Sequence, residues 1–241
     1  MSHIGFDRRL NLRWLDAAAS GIHNGKTVKE VASGLQRILT REVRGAEARR
    51  KTITVLMHIW GGADARASDL RNRASGIFPK LNEGERLWLH WGMSVVTYPF
   101  FHDVASVLGK LLRLQGDFRL SHLTRRISET CGERTTMVRA LQRVVRTMVD
   151  WQVLSETETR GMYRGVEKRS TGRRELMLWL VEALLVANSN GCVPFEELDR
   201  LPAAFPFDLS VSLRKIERSK WLEVQIEGLR GPLVLLRRKP A

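Results

Sequence analysis

The chain has 241 residues, 43% of them hydrophobic, with seven tryptophans and a formal net charge of +14. That length and apolar content exclude a disordered polar chain and leave room for two or three small domains around a real core. The charge makes an acidic partner such as nucleic acid or an anionic membrane surface the natural one.

From residue 1 to 99 the pattern is helical throughout. A helix is expected over Phe6–Ala19, with Leu10, Trp14 and Ala18 on one face. Thr27 caps the next helix, whose stripe is Val28, Val31, Leu35, Ile38 and Leu39, with Glu30 in the capping-box position. Gly45 ends it. Ala46–Trp60 follows, stopped by Gly61 and Gly62, then a shorter helix over Ala67–Ala74. Asn82 caps Glu83–Val96, which buries Leu87, Trp88, Trp91 and Val95. Trp60, Trp88, Trp91 and Trp179 all fall on apolar stripes and are expected in the core, not as stacking platforms for bases.

Residues 100–172 read as a winged helix-turn-helix. Pro99 precedes a helix over Phe100–Leu114, then come a short strand at Asp117–Leu120, a helix over Ser121–Thr130 and a tight turn at Cys131-Gly132. A second helix over Glu133–Val149 carries Met137, Leu141, Val144, Val145 and Met148 as one apolar stripe. A hairpin from Gln152 to Lys168 has Gly161 near its tip, where positive φ is wanted. Residues 173–241 repeat the order: a helix over Glu175–Ala187, a turn over Asn188–Gly191, and a short extended piece at Cys192-Val193. Helices over Pro194–Leu201 and Asp208–Ser219 are then expected, with strands Trp221–Ile226 and Leu233–Arg237 around a turn at Glu227–Pro232. The expected fold class is mainly α, a helical N-terminal domain (1–99) followed by two winged helix-turn-helix units (100–172 and 173–241) with short β-hairpin wings.

Charge separates these segments. Residues 1–99 carry 16 basic and 9 acidic side chains, residues 100–172 carry 13 and 8, and residues 173–241 carry 11 and 9. On the second helix of the first winged unit, Arg134, Thr135 and Thr136 start the helix, where backbone N–H groups favour an anion. Arg139, Gln142 and Arg143 are expected to face a groove, and Arg146 a flanking phosphate. The arginine fork grips guanine edges in the major groove, which is why this residue type on this face points to DNA. Arg160, Arg164 and Lys168 belong to the wing, and Arg125 and Arg126 on the preceding helix are placed for phosphate. In the N-terminal part Arg49, Arg50 and Lys51 follow Arg37, Arg41 and Arg44, and Arg66, Arg71 and Arg73 form another cluster. These either extend a footprint along a duplex or pair with Glu30, Glu42 and Glu47. In the second unit Asp208, Ser210, Ser212, Arg214, Lys215, Glu217 and Arg218 mix signs, which suits packing or protein contact better than phosphate.

No catalytic constellation is legible. The Gly61-Gly62 pair lacks a following Gly-Lys-Ser/Thr, no serine sits in a glycine-flanked elbow, and the carboxylates are too scattered for a two-metal nuclease. Cys131 and Cys192 lie in different predicted units without metal or redox spacing, and the six histidines give no ligand pair, so neither cofactor nor metal is expected. Met1–Arg13 has no signal-peptide core, and the apolar run from Leu176 to Ala187 is interrupted by Glu182, so a cytoplasmic protein with no membrane span is expected.

Three strings also resemble the small DNA-binding accessory proteins of bacterial BREX phage-defence systems, the BrxA-like family. They are Ala48-Arg49-Arg50-Lys51-Thr52, Tyr98-Pro99-Phe100-Phe101-His102-Asp103, and the helix from Arg134 through Met148 ending in Asp150-Trp151-Gln152-Val153-Leu154. The likeness covers residues 28–160 and leaves the C-terminal unit outside it. The resemblance implies a non-enzymatic binder of double-stranded DNA working beside larger defence proteins. The residues by themselves leave open a transcriptional regulator, an interaction scaffold built on winged helices, and a binder of structured RNA. Oligomeric state stays open too, since no dimerisation helix shows.

Overall fold

The computed structural model describes residues 4–132, 134–188, 190–226 and 231–237. Glu133, expected to start a helix, Ser189 in the expected turn and the turn residues 227–230 lie outside them, as does the side chain of Arg66. Helix α1 (Leu12–His23) starts later than its apolar spacing predicts, because the Asn11 side chain accepts from the Arg13 N–H and caps it there. Residues 4–10 form an irregular arm instead, with Phe6 and Leu10 buried. Helix α2 (Val28–Glu42) has the full capping box: the Thr27 hydroxyl accepts from the Glu30 N–H, and the Glu30 carboxylate accepts from the Thr27 N–H at 2.8 Å. Helices α3 (Ala46–Gly61) and α4 (Ala65–Ile77) follow, and Asn82 and Glu85 cap α5 (Glu83–Thr97) by the same reciprocal device.

Pro99 opens α6 (Pro99–Gln115), where its missing N–H leaves no orphan. Strand β1 (Asp117–Arg119) leads into α7 (Leu120–Cys131), and Gly132 at φ +78° turns the chain toward α8 (Thr135–Asp150). Strands β2 (Leu154–Glu156) and β3 (Met162–Gly165) form a hairpin, and β1 pairs antiparallel with β3, giving the order β1-β3-β2. Phe118 and Tyr163 are register partners and stack at 5.6 Å between ring centroids, tying β1 to β3.

After α9 (Arg174–Ala187), β4 (Cys192–Pro194) pairs with β6 (Pro232–Leu236), and β6 with β5 (Leu222–Ile226), in the matching order β4-β6-β5. Between β4 and β5 the structure departs from expectation. Phe195–Arg200 and Pro202–Ala204 are 3-10 turns, and the only α-helix among the described residues there is α10 (Leu213–Glu217). Asp208 uses its carboxylate on the Ser210 N–H and hydroxyl instead of capping a helix. Its backbone also pairs across the chain, donating to the Arg169 carbonyl at 2.9 Å.

One apolar core runs through all three segments. Its hub is Trp91 of α5, whose ring lies 5.1 Å from Phe101, 6.3 Å from Trp151, 5.3 Å from Phe205 and 5.7 Å from Phe207. Trp60, Trp88, Trp91 and Trp179 are all buried. The indole N–H groups of Trp60, Trp91 and Trp179 find acceptors at His90 Nδ1, the Ala203 carbonyl and the Leu70 carbonyl. Among the described residues no helix is long and apolar enough to cross a membrane.

His90 is the most deeply buried titratable group of α5. Its Nδ1 accepts from Trp60 at 3.2 Å, so its proton sits on Nε2, 2.9 Å from Asp16 Oδ1. Burial pushes the imidazole below its ordinary value, more than the neighbouring Asp16 pulls it back, with Arg86 adding to the depression. Asp16 is itself partly buried, which works against ionisation, but His90 and Arg86 hold its carboxyl below the usual range. The unfolded chain therefore takes up the His90 proton at higher pH than the folded one, so this contribution is intact above about pH 6.5 and is lost as pH falls below it. Urea unfolding at pH 7.5 and pH 5.5 should show the loss, approaching ~1.4 kcal/mol per pH unit, and His90→Gln should flatten it; an equal slope in both proteins contradicts it.

Candidate nucleic-acid interface

Helix α8 buries Met137, Ala140, Leu141, Val144, Val145 and Met148 and presents Thr135, Arg139, Gln142 and Arg146 along its exposed side. These four recur at i, i+4, i+7 and i+11, which places them in one row along the helix. Thr136 is exposed beside them, and Arg134 stands at the N-cap without a side-chain cap bond to the first turn. Arg139 and Arg146 have no hydrogen-bond or ion-pair partner among the described residues. Arg125 and Arg126 are exposed on α7, which buries Leu123 and Ile127 against α8 and the sheet.

The β2–β3 hairpin flanks this row. Gly161 takes φ +77° at its tip, and Arg160 is exposed beside it. Burial pushes the Tyr163 hydroxyl above its ordinary range, Glu156 adds to this and Arg146 opposes it, so the hairpin and the C-terminal half of α8 share one electrostatic neighbourhood. Arg164 reaches Asp117 across β1–β3 at 3.5 Å, and Lys168 is exposed beyond the strand. Glu156 and Glu158 put two carboxylates on the same hairpin, so its charge is less one-sided than its arginines suggest.

Arg143 departs from expectation. It is half-buried, donates to the Asp7 carbonyl at 2.7 Å and lies 4.0 Å from the Asp7 carboxylate. The N-terminal arm runs beside it along α8. The Leu10 N–H donates to Thr147 Oγ1 at 3.0 Å, the Trp151 indole donates to the Leu10 carbonyl at 3.0 Å, and Arg9 forks onto Asp150, one arm at 2.6 Å. Arg143 is thus a tie between α8 and the arm more than a reader of bases. Nothing local in the sequence marks this, because its partner is 136 residues away.

The N-terminal cations divide in the same manner. Arg50 forks onto Glu47 at 2.8 and 2.7 Å and Lys51 stands 3.5 Å away; the Arg50 contact holds the Glu47 carboxyl down at about 2. Arg49 is half-buried and donates to the Val43 carbonyl at 3.1 Å. Arg37, Arg41 and Arg44 are exposed. Glu30 is occupied by its capping box, and Glu42 accepts from the Trp14 indole at 2.9 Å. The cluster expected around Arg71 and Arg73 is not a surface patch. Arg71 is buried and donates to the Ile59 and Gly62 carbonyls, closing the end of α3. Arg73 forks onto buried Glu182 and lies 3.9 Å over the Trp221 ring. In the second unit α10 is one short turn carrying Arg214, Lys215 and Glu217, while Asp208, Ser210 and Ser212 precede it.

Among the described residues no three His, Cys, Asp or Glu side chains gather as metal ligands would. The exposed side of α8 is cationic and rich in hydrogen-bond donors, groups of the kind that hold polyanions by charge and hydrogen bonding. No protein-family model, curated protein or solved structure matches the chain.

Proposed function

We propose that the chain binds double-stranded DNA, without catalysis, through a winged helix-turn-helix formed by residues 100–172. The observation that carries this reading is the row Thr135, Arg139, Gln142 and Arg146 standing exposed on α8 beside a hairpin tipped by Arg160. A helix of this width fits the major groove, where arginine and glutamine forks can engage guanine and adenine edges. The order helix, strand, helix, helix, hairpin with sheet order β1-β3-β2 suits a winged unit, and the hairpin tip would then meet the backbone alongside. Arg125 and Arg126 would hold phosphates on the near strand, as would Arg134 and Thr136 at the start of α8. Lys168 and Arg164 add charge on the hairpin side, with Arg164 shared with Asp117. The second unit, with its one-turn α10 of mixed sign, serves as packing for the first. Within this reading the chain is a cytoplasmic DNA-binding accessory, of the kind that works beside larger phage-defence proteins.

The test is duplex binding by fluorescence anisotropy as salt is raised. Release of counterions from several phosphates weakens binding by about 10³-fold or more between ~50 and ~200 mM salt if six or more phosphates are engaged. Weak binding that does not change with salt would contradict the proposal, and stronger binding to duplex RNA would move it to a different nucleic acid.

A further inference from the structure

A second concave surface adjoins α8 on the flank of its exposed row, where Arg143 and Asp150 follow Arg139 and Arg146 by one turn. The N-terminal arm, the turn between α2 and α3, and α8 enclose a cleft of about 580 Å³ whose lining includes Arg8, Arg9, Arg44 and Arg143 against Glu42 and Asp150. Both carboxylates are already engaged. Asp150 is forked by Arg9, and Glu42 accepts from the Trp14 indole with Arg13 3.9 Å from its other oxygen. Arg143 is held by the Asp7 carbonyl. Two cations remain. Arg44 is exposed with no partner among the described residues. Arg8 is mostly covered, with its Nε buried and without a hydrogen-bond partner, and its nearest carboxylate, on Asp7, is 3.6 Å away.

Four guanidinium groups line the cleft against two carboxylates that are already engaged, which leaves positive charge in excess on a surface open to solvent. A phosphodiester oxygen matches that surface in charge and in geometry. We infer that the cleft between the arm and the α2–α3 turn seats a backbone phosphate of the DNA duplex beside α8, held by Arg8 and Arg44. This inference rests on the proposed duplex binding and extends the contacted strand beyond the winged unit. The arm then has a second role besides closing the core over Trp151: its bonds to Thr147, Asp150 and Trp151 hold Arg8 at a constant distance from the row on α8. The cleft reads no sequence, since every group it offers is a backbone ligand.

The experiment compares the wild-type chain with its Arg8→Gln/Arg44→Gln variant, using anisotropy over a salt series on two duplexes of unrelated sequence. The expected result is a loss of roughly 10-fold or more at fixed salt, equal on both duplexes, with the slope of log K against log salt reduced by about 1 to 2. An unchanged slope and affinity, in a variant with the wild-type melting temperature, overturns the inference. Should the double variant fail to fold, Arg44→Glu decides alone: weaker binding on both duplexes supports the seat, and unaltered binding overturns it. If the wild-type chain itself shows no salt-dependent duplex binding, the failure belongs to the proposed function. If Arg139→Ala weakens binding while the arm variants do not, it belongs to the cleft.

Discussion

The Arg139→Ala/Arg146→Ala variant should bind a DNA duplex roughly 30-fold or more weakly than the wild type, since each arginine removed from such a surface costs about 1–3 kcal/mol. It should unfold at nearly the same temperature. Both guanidinium groups are exposed and have no partner among the described residues, so their removal leaves no buried group unsatisfied. Arg143→Ala would be a poor choice for the same purpose. Its bond to the Asp7 carbonyl makes it part of the seam with the arm, and weakened binding there would mix recognition with structure. Wild-type affinity in the Arg139/Arg146 variant, measured by anisotropy beside a melting curve, would remove α8 from the interface.

Gly109→Ala should destabilise the protein by roughly 2–5 kcal/mol, from overpacking and from a buried hydrogen bond that has to lengthen. A Cβ at this position would stand 2.0 Å from the Pro202 carbonyl oxygen and 2.7 Å from its carbon, both backbone atoms. Helix α6 can then rest on the Pro202–Ala204 turn only by moving away from it. That movement pulls on the Trp91 indole, which donates to the Ala203 carbonyl at 2.9 Å, and on the aromatic hub that joins all three segments. Gly34→Ala on α2 is the matched control: its Cβ would meet nothing within 4 Å. It should add about 0.4–1 kcal/mol by restricting the unfolded chain. Urea midpoints for the two variants check both signs, and a Gly109→Ala midpoint equal to the wild type would mean that α6 and the Pro202 turn are not tightly apposed.

Local rules are readable where local chemistry decides. The Thr27–Glu30 box, Asn82 before α5, Pro99 at the start of α6, Gly161 at the hairpin tip and the apolar stripe of α8 each depend on neighbours within one or two turns. Several of the misplacements involve contacts distant in sequence. Leu10, Trp14 and Ala18 keep helical spacing, yet Asn11 caps α1 and residues 4–10 run along α8 instead, where Thr147, Asp150 and Trp151 bind the arm. Arg71 and Arg73 look like surface charge until the α3 terminus and Glu182, 109 residues beyond Arg73, are brought to them. In the stretch 195–217 the miss is local: Asp208, expected as a helix cap, turns its carboxylate onto Ser210, and α10 begins only at Leu213. For the interface, residue type and helical phase identify the row on α8, but only tertiary structure separates Arg139 and Arg146 from Arg143.

The central claim is that the exposed row on α8 meets a DNA duplex. Its most direct test is one salt series on the wild type and the Arg139→Ala/Arg146→Ala variant with the same duplex, each plotted as log K against log salt. The account predicts two separated lines, the variant lying lower at every salt and shallower by about 0.9 for each phosphate that is no longer neutralised. Superimposed lines, or a wild-type line that is flat, would contradict it.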